Sequence, residues 1–146
     1  MQAARLAREQ QHAIDQARAA NLAKKRWQEA SPCEDFAYLQ SKGVRSHGLR
    51  REEGGNLLVP ISNSAGEIVS LQTIDQSGQK RFLQDGAIRG NYFLIGEPTK
   101  KIVVCEGYAT GASIHEATGI SVAVSFNAGN LEPVARSVTA RYPEAT

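Results

Sequence analysis

Apolar positions along this chain change their period twice, and each change marks a different kind of structure. Residues 1–30, "MQAARLAREQQHAIDQARAANLAKKRWQEA", contain no Gly or Pro and are rich in Ala, Gln, Arg and Lys, which predicts one long helix. Its large apolar residues are only Leu6, Ile14, Leu22 and Trp27, so the apolar face is thin. The first half is therefore expected to stand in solvent, with Trp27 as the anchor. After Ser31-Pro32, the stretch "CEDFAYLQSKGV" places Phe36, Leu39 and Val44 around Gly43, the pattern of a short helix closed by a glycine.

From residue 56 the period shortens. "NLLVPISNSAGEIVSLQTIDQSGQKRFLQDGAIRGNYFLIG" has short apolar runs punctuated by Asn-Ser-Ala-Gly, Gln-Ser-Gly and Asp-Gly, which predicts an antiparallel meander of about four strands. The last stretch alternates differently. "KIVVCE" and "SVAVSF" read as buried strands, while "YATGASIHEAT" and "LEPVARSVTARY" read as helices, an order that implies a parallel βαβα unit. The fold expected is α/β, or α+β overall. Its parts are a helical segment over 1–30, a helix-and-meander unit over 31–98 and a partial Rossmann-like unit over 99–146. A further parallel strand is expected after the second helix, so the chain reads as a fragment.

Composition narrows the function only by exclusion. The 146 residues are 41% hydrophobic and 22% charged with a formal net charge of +2, so affinity for nucleic acid has to come from a local cluster of Lys and Arg. The basic residues of the first helix, Arg5, Arg8, Arg18, Lys24, Lys25 and Arg26, read as a solvated face, with a nucleic-acid stripe as the alternative. Cys33 and Cys105 are isolated, without the spacing of a zinc site or a disulfide framework. No apolar run approaches the roughly 20 residues of a membrane span and no signal-peptide core is present, so a cytoplasmic, reducing setting is expected.

The candidate chemistry centres on Glu106. A carboxylate at the end of a parallel strand stands where ligands collect, and the amides opening the next helix favour an anion. Gly107 is expected to allow a sharp turn and a close approach by phosphate or metal. A carboxylate beside an anion site calls for a cation between them, for which magnesium is the natural candidate. Capping of the following helix by Glu106 is an equally good reading. "HEATG" opens like a zincin helix, but Gly119 stands where the second histidine belongs, and His115 reads as a packing or surface residue. Cys105, inside an apolar strand, reads as core.

"IVVCEGYATGASIHEATG" resembles the first motif of the Toprim domain, a strand ending in Glu-Gly. Upstream, "VPISNSAGEIVSLQTID", "GQKRFL" and "RGNYFLIG" are similar to the segment that precedes Toprim in primase catalytic cores. The nearest likeness, covering residues 27–142, is to the Toprim-containing DNA primases of conjugative plasmids and phages. This resemblance implies a metal-dependent nucleotidyltransferase that makes primers on single-stranded DNA from nucleoside triphosphates, bacterial and cytoplasmic, sometimes working with a helicase. It implies Glu106 and Gly107 as catalytic residues, Glu106 as a ligand for Mg2+ or Mn2+, and Lys80 and Arg81 before Phe82, with Arg89, as nucleic-acid or nucleotide contacts. In the family an Asp-x-Asp strand supplies further metal ligands. No such motif follows Glu106 here, so the chain by itself is expected to hold metal weakly and to be inactive. The other classes open at this point are a Toprim nuclease or topoisomerase and a non-catalytic nucleic-acid-binding module.

Overall fold

The computed structural model describes residues 2–146. Helix α1, Gln2–Glu29, is continuous, and its first half is exposed, with Leu6 57% and Ile14 51% accessible. Only its second half packs, through Ala23 and Trp27 against Leu58 and Leu71. Trp27 is therefore the expected anchor. Arg50 lies over its ring at 4.5 Å and donates from Nη1 to its carbonyl oxygen at 2.8 Å.

A five-stranded antiparallel sheet follows, of β1 (Ser31–Pro32), β2 (Arg50–Arg51), β3 (Leu57–Ser62), β4 (Ile68–Ile74) and β5 (Lys80–Phe82), in that order. Between β1 and β2 runs α2, Ala37–Lys42, closed by Gly43 in the left-handed conformation with Val44 N–H donating to the Leu39 carbonyl oxygen at 3.1 Å. The turns joining β3 to β4 and β4 to β5 share one chemistry. Asn63 Oδ1 accepts from the amides of Ala65 and Glu67, and Asp75 Oδ1 accepts from those of Ser77 and Gln79. Hydrogen bonding from the Ser77 side chain, then from the Gln79 amide, lowers the pKa of Asp75. Pro60 is tolerated in β3 because β2 pairs only with Leu57 and Leu58, leaving the proline no ladder partner on that side.

The second sheet has the order β6 (Phe93–Ile95), β8 (Ser121–Val124), β7 (Ile102–Cys105). Strands β7 and β8 are parallel and linked by α3, Tyr108–Thr118, and α4, Leu131–Arg141, follows β8 after a 3-10 turn over Ala128–Asn130. This is the expected parallel βαβα unit. The fourth strand expected in the meander is the exception. β6 leaves the first sheet and pairs antiparallel with β8, and the two sheets touch through a bridge between Ser62 and Tyr92. Beyond Phe82 the chain is diverted by a 10-residue connection, and β6 then closes the edge of the parallel pair. On the other edge of β7, Thr146 N–H donates to Lys100 O and Ile102 N–H to Thr146 O.

Alternation along the strands sorts the core into layers. Leu58 and Leu71 face α1. Leu57, Val59, Ile61 and Ile74 face inward with Phe36, Leu39, Tyr108, Ala112, Val122 and Val124. Ala123 faces the other way, against Val134 and Val138 of α4. No described helix is long and apolar enough to cross a membrane.

Candidate nucleic-acid and nucleotide site

Parallel pairing carries β7 and β8 to one edge, and the ladder continues past both. Ser125 N–H donates to Cys105 O at 2.8 Å and Phe126 N–H to Glu106 O at 2.7 Å. Glu106 is thereby presented at the carboxyl end of β7 with its side chain exposed, immediately before α3. The N-cap of α3 is Gly107, and no side chain caps it. Glu106 is therefore not a helix cap. Glu106→Gln is expected to change stability by no more than about 1 kcal/mol, as exposed substitutions outside the core usually do. Thermal unfolding in metal-free buffer checks this, and a loss of several kcal/mol would restore a structural role.

Gly107 differs from its expected use. Its φ of −107° and ψ of 154° are extended and open to any residue, so the turn does not require glycine. A Cβ there would meet nothing within 4 Å, which leaves empty space in front of the helix amides. Gly111 is the glycine the fold needs. A Cβ at Gly111 would stand 3.0 Å from Cys105 Sγ and 3.1 and 3.2 Å from Val124 and Val122, so its absence lets α3 lie close on β7 and β8.

The facing wall comes from the other sheet. In β5, Lys80 stands opposite Ile74 and Phe82 opposite Gln72, on the inner face, whereas Arg81 stands opposite Thr73 on the face toward α1. Lys80 and Gln72 join Glu106, Gly107, Thr110 and Phe126 around one cavity of ≈ 360 Å³. Strand alternation thus brings Lys80 to Glu106 and turns Arg81 away. Arg89 lines a separate hollow of ≈ 250 Å³ with Asn127 and Asn130, on the continuation of β8 past Phe126.

Three residues of this region carried no signal in the sequence that set them apart. Phe126 is 8% accessible with φ of +77°, a left-handed conformation that costs a non-glycine residue of order 1–3 kcal/mol and persists only when surrounding contacts enforce it. Its ring meets Phe82 edge-to-face at 6.1 Å, joining the two sheets beside the cavity. Gln72, 5% accessible, puts a buried polar side chain in the wall. Asn130 ties down the loop carrying Arg89. Its Oδ1 accepts from Gly90 N–H at 2.7 Å, and its Nδ2 lies 3.0, 3.2 and 2.8 Å from the carbonyl oxygens of Ile88, Asn91 and Ser125.

Electrostatically the cavity holds unpaired charges. The ion pairs among the described residues are Arg5–Glu9, Arg26–Glu52, His47–Glu116 and Arg136–Glu132, so Lys80 and Glu106 in the cavity, like Arg89 in the separate hollow, lack an ionic partner there. No group of three or more His, Cys, Asp or Glu able to hold a metal exists among the described residues. One carboxylate sharing its cavity with an ammonium group does not by itself make a magnesium site. Burial pushes the Cys105 thiol up to about 11, which leaves it a protonated core residue and no nucleophile. His115 packs against Gly96, with Nδ1 2.8 Å from the Ile120 carbonyl oxygen.

Comparison with known proteins adds what geometry alone does not. No protein-family model matches the chain. Two curated proteins from Escherichia coli, both DNA primase TraC, are 32% identical to it. One match runs over 114 residues, 73% of this chain and 8% of the relative, and the other over 118 residues, 76% and 11%. The chain is similar to a segment of these DNA primases. That segment is about a tenth of the curated relatives' length. Among solved structures, a chain of a bacteriophage T7 assembly aligns at 16% identity with a TM-score of 0.42, covering 79% of this chain and 60% of its own. That assembly is a lagging-strand DNA polymerase interacting with primase domains bound to an RNA/DNA hybrid and dTTP.

Proposed function

We propose that this chain is part of the catalytic core of a DNA primase, with the Lys80–Glu106 cavity as the place where a single-stranded template or a nucleoside triphosphate is held by its phosphates. The observation that carries this reading is the meeting of a basic residue from one sheet and a strand-end carboxylate from the other around one cavity. Lys80 supplies the positive charge that a phosphate needs, and Phe82, 40% accessible on the same face of β5, offers a ring on which a base can stack. The amides opening α3 add partial positive charge at Gly107, where no side chain blocks approach. Within this reading the unit of β7, α3, β8 and α4 is of the Toprim type. Glu106 would be this chain's ligand to Mg2+ or Mn2+, and the remaining oxygen donors would have to come from phosphates or from carboxylates outside the described residues. The chemistry the metal supplies is charge neutralisation during nucleotidyl transfer.

Titration of a labelled single-stranded oligonucleotide tests the reading, because the two neighbouring basic residues have opposite expectations. Lys80→Ala is expected to lower affinity about tenfold, or about 1.4 kcal/mol, and to reduce the salt dependence. Arg81→Ala, on the other face, is expected to stay within about twofold of wild type. Unlabelled nucleoside triphosphate is expected to compete in the wild type and not in Lys80→Ala. The opposite pattern, with Arg81 essential and Lys80 dispensable, overturns the placement of the site.

A further inference from the structure

Lys80, which lines the Glu106 cavity, also meets an aromatic ring from another element. Its ammonium group lies 5.4 Å from the ring centroid of Tyr38, and a second ammonium, that of Lys42, lies 5.9 Å from the same centroid. Lys42 is the last residue of α2, and Lys80 the first of β5, so two elements far apart in sequence deliver two cations to one ring. The separation of the ammonium groups is limited by those two distances. Both lysines are exposed and neither has an ionic partner among the described residues.

The ring between them is fixed. Tyr38 is 3% accessible and packed in the central core, and its hydroxyl is buried with no hydrogen-bond partner. A tyrosine buried this way gains nothing from its hydroxyl, so its contribution here is packing and the negative face of the ring. Like charges gathered on one ring repel each other unless an anion lies between or beside them. The two centroid distances cap the ammonium separation at about 11 Å, a span within which two neighbouring phosphates of one strand fit.

We propose that Lys42 is a second phosphate-binding residue, and that Lys42 and Lys80, both steadied by Tyr38, clamp successive phosphates of a single strand leading to the Glu106 cavity. This inference rests on the nucleic-acid reading of that cavity and extends it to a residue in α2. Lys42 has one other evident role, favourable charge at the carboxyl end of α2. That role affects the stability of α2 and leaves counterion release on binding untouched.

The two roles separate in the salt dependence of binding. A fluorescein-labelled oligothymidylate is titrated with the chain at several salt concentrations, and the slope of log K against log salt is read. For single strands each phosphate contact contributes about 0.7 to that slope. Lys42→Gln is expected to reduce the slope by about 0.7 and to weaken binding severalfold, Lys80→Gln to do the same, and the double variant to lose about 1.4. Lys42→Arg keeps the cation and is expected to keep the slope. If Lys80→Gln lowers the slope and Lys42→Gln does not, the clamp is wrong and the Lys80–Glu106 site stands. If neither lowers it, both fall. Loss of slope in Lys42→Arg as well as in Lys42→Gln shows that the side chain is structural and overturns the inference.

Discussion

Replacing Asn130 by alanine is expected to destabilise the protein by about 3 kcal/mol, with guanidinium unfolding as the measurement. Asn130 is 3% accessible and its amide serves four backbone groups, those of Ile88, Gly90, Asn91 and Ser125. Alanine leaves Gly90 N–H and the carbonyl oxygens of Asn91 and Ser125 without these partners, while Ile88 O keeps the Asn91 N–H at 2.9 Å. A buried backbone group without a partner costs about 1–3 kcal/mol, though relaxation and water entry recover part of the sum, which sets the expectation near the cost of one or two such groups. The loop over residues 88–91 loses the side chain that ties it to the turn before α4, so amide exchange at Gly90 and Asn91 is expected to accelerate more than exchange in β7 or β8. A loss below about 1 kcal/mol would mean that the loop is held by something other than this amide.

The second large effect is expected at Gly111, with Gly107 as its control. Gly to Val in an exposed helix interior changes stability by only a few tenths of a kcal/mol, because the relief of backbone entropy offsets the poor helix propensity of Val. At Gly111 even a Cβ stands 3.0–3.2 Å from the side chains of Cys105, Val122 and Val124, buried strand residues that have to shift to admit the two further methyl groups of valine. Overpacking of this kind costs about 1–3 kcal/mol, so Gly111→Val is expected to lose about 3 kcal/mol and to push α3 away from the sheet. Gly107→Ala has open space and an ordinary extended backbone, and is expected to be neutral or to gain about 0.5 kcal/mol through the unfolded chain. Its methyl group stands in the mouth of the cavity, so nucleoside triphosphate competition is expected to weaken while stability does not. Thermal unfolding of both variants, with the competition assay on Gly107→Ala, decides the matter. An unstable Gly107→Ala, or a stable Gly111→Val, would reverse the roles given to the two glycines.

Acid adds a smaller dependence away from the site. Hydrogen bonding from the Arg45 amide, and next from His47, lowers the pKa of Glu116 and ties the loop before β2 to the end of α3. A carboxyl lowered in the folded state contributes stability above its unfolded pKa and loses it as pH falls through the folded one.

Local signals sufficed for most elements. Gly43 closing α2, the paired Asn63 and Asp75 turns, and the strand-helix-strand-helix order after residue 101 all depend on residues within a few positions of each other, which is the range that periodicity and turn chemistry report. Glu106 at a strand end was legible for the same reason. The destination of β6 was not, because three residues of the pattern Phe-Leu-Ile fit either sheet and only the available edge of β8 decides between them. Nor was the separation of Lys80 from Arg81, since adjacent residues look equivalent until the pairing register assigns each a face. The sequence by itself determined which residues could carry charge and where strands would end. Only the tertiary structure decided that Lys80, Glu106 and Phe126 share a cavity, that Lys42 shares Tyr38 with Lys80, and that Asn130 holds the Arg89 loop. Those meetings join residues tens of positions apart, and the packing of two sheets on one core, which no local pattern encodes, is what brings them together.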